Sequence, residues 1–417
     1  MKFRSELVKN SITLLSANTL SQLIAIAVYP VVTRQYAPSD LGALSLLLSI
    51  VGICTILATG KYESAVMLEK KDSDAAAAFD LTIVINLILC LLIAVLLLFF
   101  KPFLISIFQM QSIESFVWFI PPMVFLAAMG FSATFWFNRQ NRFRLSARYN
   151  LSQSITNNGL KVAFGALQYT YIGLVLANLA GQIAGILSVF SHRNHSDGLF
   201  RFNKQTMQQI AVRHKHFPIY QMPHAFVNTL AGNLPVLILA AKFNMTEVGL
   251  FSLGITLGFR PINVLTSSVN QVFFQKVSAN TAGGISSYSL LSAFSRKFFT
   301  IGFPLLIPAI FTVKPLAVFI FGNEWAGAGS YLQMMLPWFF FTVVASSLSF
   351  MPSVANKQKE AMFIEFIYMA FRILALLTGV WFSNMHLAIG LFSAVSSVFM
   401  AGQTIWYLSL AKNLIKN

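Results

Sequence analysis

Charge is scarce in this chain, and acid scarcer still. Only 10% of the 417 residues are Asp, Glu, Lys or Arg, and 13 of them are acidic. A soluble domain carries about 25% charged residues, so a water-facing surface of ordinary composition is excluded. The two cysteines, Cys54 and Cys90, lie in apolar runs, which excludes a disulfide framework. No Gly-x-x-x-x-Gly-Lys phosphate loop exists, so the chain carries no ATPase motor of its own. No Ser/His/Asp grouping points to a nucleophilic enzyme, and no Pro-rich, Gly/Ser-rich or low-complexity tract is present. What fills the chain is apolar: 56% hydrophobic residues with 41 Phe, at a mean hydropathy of +0.70. This is the composition of an all-α polytopic membrane protein.

A spanning helix needs about 20 mostly apolar residues. Twelve such spans are predicted, over 11–33, 41–60, 80–100, 115–137, 150–168, 171–191, 221–241, 248–273, 298–320, 329–350, 361–382 and 386–410. The fifth is the most polar, and the ninth has a start blurred by Arg296 and Lys297. Met1 to Asn10 is basic and leads into the first apolar run without a small-residue cleavage site. It reads as part of a retained first helix rather than a signal peptide.

The net charge of +16 follows from topology. With the N-terminus in the cytoplasm, 22 Lys and Arg fall in cytoplasmic segments and four (Arg34, Lys101, Lys242 and Lys314) in outer loops. That bias is the positive-inside rule; it places both termini in the cytoplasm and leaves no call for nucleic acid. Anionic lipid headgroups are the expected contact of the basic loops. The largest loop, 192–220, is cytoplasmic. It divides an N-terminal six-helix bundle, 1–191, from a C-terminal one, 221–417. Asn18-Thr19-Leu20 recurs as Asn228-Thr229-Leu230. Asp40-Leu41-Gly42 likewise recurs as Glu247-Val248-Gly249, an acid and then a glycine near the start of the second helix of each half. Two halves of equal orientation imply a duplication about an axis along the membrane normal, with a central cavity at the midplane.

Three cations, Lys161, Arg260 and Arg372, are explained by neither loop. A cation at a bilayer centre costs about 2.5–3.5 kcal/mol and by default faces a protein interior or a wet cavity. Gln153, Asn157 and Lys161 share a stripe of the fifth helix, and Arg260, Asn263, Ser267 and Asn270 a stripe of the eighth. Pro261 is expected to kink or loosen the eighth helix. Gln221, His224 and Asn228 line one face of the seventh, and the first contributes Asn18 and Gln22. Arg372 lies seven residues after Glu365, about 10 Å of rise away. The functional reading is a cationic, hydroxyl-tolerant cavity for phosphate and sugar, lined by Lys161, Arg260, Arg372, Asn157, Asn228 and Gln22. The bland reading is that these groups glue helices together or snorkel. Glu365 is expected in an ion pair, with proton exchange as its alternative role. His224 is a second proton-exchange candidate.

Other motifs carry less. Asp72-Ser73-Asp74 resembles the metal-binding acid pair of nucleotide-sugar glycosyltransferases, but capping of the third helix by Ser73 or Asp74 is the expected role. His192, His195, His214 and His216 cluster without Cys or an acidic ligand set, so no metal site is expected there.

Several stretches resemble one family. Gly60-Lys61-Tyr62-Glu63-Ser64-Ala65-Val66 is similar to the Tyr-Glu-x-Ala-Ile pattern of bacterial polysaccharide-repeat flippases. Pro30, Thr33-Arg34, Tyr36 and Asp40-Leu41-Gly42 resemble its first outer turn. Phe137 to Arg144 with Gln153-Ser154 resembles its basic fourth-to-fifth connection. Phe217-Pro218, Asn228, Leu234-Pro235, Val248-Gly249, Phe251-Ser252 and Arg260-Pro261 resemble its seventh and eighth helices. The family is the Wzx-type O-antigen flippases of the multidrug/oligosaccharidyl-lipid/polysaccharide exporter superfamily. The resemblance implies twelve helices in two bundles working by alternating access. It implies a non-enzymatic transporter in the bacterial inner membrane that moves an undecaprenyl-diphosphate-linked repeat unit to the outer leaflet. No cofactor is implied; a proton or sodium gradient is the available energy source. A polysaccharide polymerase and a chain-length regulator are the implied protein partners. Capsule or peptidoglycan precursors are the alternative cargo. An integral-membrane polymerase or glycosyltransferase is the alternative class.

Overall fold

The computed structural model describes residues 2–108, 111–191 and 198–414. His192 and His195 lie outside the described residues. The described residues are predominantly helical, and twelve of the helices among them have 20 or more residues. In order these are α1 (Lys2–Gln35), α2 (Pro38–Thr59), α4 (Asp72–Phe108), α5 (Ile120–Arg139), α6 (Phe143–Ala166), α7 (Tyr171–Phe190), α9 (Met222–Lys242), α10 (Met245–Ala282), α11 (Tyr288–Phe321), α12 (Ala326–Ser347), α14 (Gln358–Trp381) and α15 (Met385–Asn413). Three short helices interrupt the series: α3 (Glu63–Leu68), α8 (Lys204–Arg213) and α13 (Met351–Val354). Each predicted span coincides for most of its length with one long helix; the largest mismatch is at the fourth, where 115–119 precede α5 in a 3-10 segment, Gln111–Phe119.

Several helices outrun their apolar spans. α4 begins at Asp72 where the hydropathy begins at 80, and α11 absorbs Arg296 and Lys297 in its first three turns. Backbone hydrogen bonds continue past the point where apolar side chains stop, so hydropathy marks the hydrocarbon segment rather than the helix ends. α10 is unbroken through Pro261. The proline costs the Leu257 carbonyl its helical donor without ending the helix.

Burial is the inverse of a soluble protein's. Phe99, Phe319 and Trp381 are 74%, 81% and 85% exposed, and the apolar window of α11 is only 6% buried. Such surfaces are stable only against lipid tails. Ten of the twelve helices are apolar enough over their described residues to cross a membrane. The other two, α1 and α6, pack along each other. A polar helix is tolerated in a membrane when another covers its polar face.

The chain divides into two compact units, Met1–Met245 and Thr246–Asn417. The first therefore holds α9, which packs against α2. In this unit the helices beside α3 and α8 enclose an aromatic core built on Phe79, Trp136, Phe137 and Phe217. The second unit is built on α12 against α11 and α15, with α14 on α15. One of its cores joins Val277, Leu291, Val344, Leu348, Met351 and Tyr407.

Candidate functional site

The polar stripe of α6 is a packing seam for most of its length. α7 crosses it at Gly181 and Gly185. A Cβ on Gly181 would stand 2.8 Å from Asn157 Cβ and 2.9 Å from the Gln153 carbonyl oxygen, and one on Gly185 would stand 2.9 Å from the Tyr149 ring. The Gly-x-x-x-Gly spacing lets two membrane helices touch backbone to backbone. Asn157 is caught in this contact, and its Oδ1 is enclosed without a hydrogen-bond partner among the described residues. On the other side α1 is bonded to α6. Asn150 Nδ2 donates to Asn18 Oδ1 at 2.6 Å, and Ser154 Oγ donates to the Ser21 carbonyl at 3.1 Å. The Tyr36 hydroxyl donates to the Lys161 carbonyl at 2.8 Å. Gln22 and Lys161, both half-buried, thus belong to one tightly bonded helix pair. Lys161 sits about 8 Å of rise from the end of α6.

Asn228 and His224 are exposed on α9. Asn18, the sequence counterpart of Asn228, is also exposed and is bonded to Asn150 across the α1–α6 pair.

In the second unit Arg260 is half-buried at mid-length of α10. Gly254 and Gly258 precede it and admit α12: a Cβ on Gly254 would stand 2.8 Å from Met335 Cε, and one on Gly258 would overlap the Phe339 ring. Asn263 and Ser267 are exposed. Asn270, at the end of the same stripe, is structural: its Nδ2 donates to the Ser346 carbonyl at 2.9 Å and to Ser349 Oγ at 3.0 Å.

Arg372 departs from the expected cavity lining. Its guanidinium carbon lies 4.5 Å from the ring centroid of Phe392, 4.9 Å from Tyr368 and 5.4 Å from Trp338. Three π-faces compensate the buried charge, each by about 0.5–2 kcal/mol. Glu365 does not pair with it. Gln403 Nε2 donates to Glu365 Oε1 at 2.8 Å, and no ion pair of Glu365 occurs among the described residues. Glu365, expected in an ion pair, is instead bonded to a neutral amide, and its separation of two turns from Arg372 fits the absence of a direct pair between them.

The motifs of the second to third connection hold the described part of the linker, 198–220, in place. Gly60 and Lys61 both adopt left-handed backbone, with φ of 56° and 62°, and so turn the chain into α3. The Tyr62 hydroxyl donates to the Ala211 carbonyl at 3.1 Å. Glu63 is fully buried with Lys61 Nζ at 3.4 Å. Arg213 Nη1 donates to both oxygens of Glu69, at 2.9 and 2.8 Å, and His214 Nε2 stands 2.7 Å from Glu69 Oε1. The bond to Glu69, with its charge, raises the Arg213 pKa further. Asp80 accepts from the Phe200 and Phe202 amides at 2.7 and 3.0 Å. Asp72 and Asp74 occupy the first turn of α4 rather than its cap. There they pair with Arg139 at 2.9 Å and Arg213 at 3.5 Å, and their charge suits the helix N-terminus. Among the described residues no group of three or more His, Cys, Asp or Glu is placed to hold a metal.

The family model described as "Polysaccharide biosynthesis protein" matches residues 31–329, more than two thirds of the chain. The chain belongs to this family. The matched region includes Lys161 and Arg260 and stops before Glu365 and Arg372. No curated protein matches the chain. Among solved structures, an inward-facing multidrug resistance MATE family transporter of the MOP superfamily shares 14% identity at a TM-score of 0.69, over 97% of this chain and 99% of that one. The lipid II flippase MurJ, in an inward closed conformation, shares 14% identity at a TM-score of 0.70, over 97% of this chain and 91% of that one. A MOP superfamily transporter from Pyrococcus furiosus, described as having a binding pocket of reverse polarity, shares 12% identity at a TM-score of 0.54, over 98% of this chain and 97% of that one. These likenesses show that the chain shares the fold of these transporters.

Sequence reading missed three features here. The Gly181/Gly185 pair was visible as a Gly-x-x-x-Gly motif. The rings around Arg372 and the docking of Arg213 and His214 on Glu69 had no local signal.

Proposed function

We propose that this protein is a flippase for lipid-linked polysaccharide precursors and not an enzyme. The observation that carries the reading is the polysaccharide biosynthesis family match over residues 31–329 on a fold shared with transporters, a lipid II flippase among them. The cargo in this reading is an undecaprenyl-diphosphate-linked O-antigen repeat unit. The membrane-embedded cations available to its diphosphate are Lys161 and Arg260, while the polyprenyl tail stays in lipid. Arg suits phosphate oxygens through its fork, Lys through its point charge. Gln22 and the exposed Asn228 are the amide groups offered to sugar hydroxyls. Arg372 is left out of this set, because its ring cage compensates its charge locally.

The cycle is alternating access in the inner membrane with both termini cytoplasmic, driven by a proton or sodium gradient. Glu365 and His224 are the groups proposed to exchange a proton. The polymerase and chain-length regulator of the same pathway are the proposed partners. The 14% likeness to a lipid II flippase across 97% of the chain favours a second cargo, a peptidoglycan precursor. The test is complementation of a strain lacking its O-antigen flippase. Wild-type protein restores surface polymer, whereas Lys161→Gln with Arg260→Gln abolishes it at equal protein level. Unchanged polymer from the double variant overturns the assignment of these residues, and failure of the wild-type chain overturns the O-antigen cargo.

A further inference from the structure

We propose that the second unit carries a sugar-binding pocket where α10 meets α13, and that it takes an uncharged pyranose ring of the lipid-linked cargo on the cytoplasmic side; this rests on the flippase reading above. A cavity of about 440 Å³ opens there, lined by Phe274, Ser278 and Thr281 of α10 and by Ser353 and Val354 of α13. That volume is in the range of small-molecule sites, about 300–1,000 Å³. The α10 wall continues a pattern already described. Phe274, Ser278 and Thr281 prolong, at steps of three or four residues, the stripe that begins at Arg260 and passes through Asn270, so the pocket shares a face with Arg260. Phe274 stands about 21 Å of rise beyond it. Asn270 sets the opposite wall: its bonds to the Ser346 carbonyl and Ser349 Oγ tie the end of α12 to α10, and α13 begins directly after.

The lining selects the ligand. Phe274 is 46% exposed, and the Phe350 ring braces it at 5.7 Å between centroids and an angle of 57°. The electronegative face of an aromatic ring suits the positively polarised C–H bonds of a pyranose. The Ser278 and Ser353 hydroxyls make no hydrogen bond among the described residues. Thr281 Oγ1 donates to the Val277 carbonyl at 2.8 Å and keeps its capacity to accept. Hydroxyls both donate and accept, which matches the hydroxyls of a sugar. None of the five lining side chains is charged. Lys276 projects from the opposite side of α10, and Lys357 is paired with Glu360 at 2.6 Å. A phosphate would find no counter-charge in the pocket, and a polyprenyl tail would leave three hydroxyls unmatched. Depth agrees with chemistry. The apolar span of α10 ends at 273, so in the orientation given by the charge bias the pocket lies at the cytoplasmic rim of the hydrocarbon, where a sugar on an inner-leaflet lipid diphosphate stands.

The test is binding of undecaprenyl diphosphate, bare or carrying one galactose or one N-acetylglucosamine, to the full-length protein in nanodiscs, read by native mass spectrometry. At least one sugar-bearing lipid is expected to bind the wild type about tenfold more tightly than the bare lipid. Phe274→Leu keeps an apolar side chain and loses the ring face, and Ser353→Ala removes an exposed hydroxyl. Each is expected to cut the sugar preference about fivefold and to leave affinity for the bare lipid unchanged. Wild-type unfolding temperatures in both variants establish that they are folded. Equal affinity of the wild type for bare and sugar-bearing lipids, a full sugar preference in both variants, or equal weakening of bare and sugar-bearing lipids each overturn the pocket and leave the flippase reading in place. Failure of the wild type to bind any of the three lipids overturns both.

Discussion

Replacing Glu69 with Ala should release α8 from the first unit while leaving the transmembrane helices folded. The Glu69 carboxylate is 6% exposed and receives Arg213 at 2.8 Å and His214 at 2.7 Å. The His214 side chain is 10% exposed, so losing its partner strands a buried polar group at a cost of about 1–3 kcal/mol. The Arg213 side chain is 51% exposed, and its share is that of a surface pair, about 0.2–1 kcal/mol. Together these give about 1–4 kcal/mol, or a rise of roughly 7- to 700-fold in the opening of α8. Hydrogen–deuterium exchange of the α8 amides in nanodiscs reads this directly. Arg213→Ala should raise exchange by no more than about fivefold. Wild-type protection of α8 in the Glu69→Ala protein would refute the reasoning, since the linker would then be held by something other than this carboxylate.

Two further perturbations probe the first unit. Gly181→Val pushes a side chain into Asn157 and the Gln153 carbonyl, where even a Cβ would stand 2.8 and 2.9 Å away. It should lower the unfolding temperature by about 3–10 °C, while Gly159→Ala, with nothing within 4 Å, should not lower it. Asp80→Ala removes both acceptors of the turn at Phe200 and Phe202, whose φ values are 63° and 48°. Limited proteolysis should then cut within residues 198–203 at least about fivefold faster, for a loss of about 1–3 kcal/mol.

The twelve spans were legible because lipid exposure leaves a long, one-dimensional record in hydropathy. Their ends were not: α10 runs on to Ala282 past the expected end at 273, since helical hydrogen bonding continues in water. Lys161 and Arg260 stood out as violations of the apolar pattern, and both are half-buried within membrane helices. Arg372 stood out equally, yet its meaning differed. The rings of Trp338 and Phe392 that enclose it come from other helices, and in a chain of 41 Phe no aromatic residue announces itself. Of the Gln153–Asn157–Lys161 stripe, Gln153 and Asn157 pack against glycines of α7, a contact whose Gly-x-x-x-Gly signal was not weighed. Docking of the linker was invisible for a plainer reason: Glu69 and Arg213 lie 144 residues apart.

The central claim, that cations within the membrane helices carry a lipid-linked diphosphate sugar across the bilayer, is tested most directly by leaflet transfer in proteoliposomes. Purified protein is reconstituted with a fluorescent undecaprenyl-diphosphate oligosaccharide, and arrival of the sugar at the opposite leaflet is followed by membrane-impermeant quenching under an imposed ion gradient. The account predicts transfer by the wild-type protein and loss of at least about tenfold, equivalent to 1.4 kcal/mol, when Lys161 and Arg260 are both replaced by Gln. Equal transfer by wild type and double variant, or no transfer by the wild type under any gradient, would contradict it.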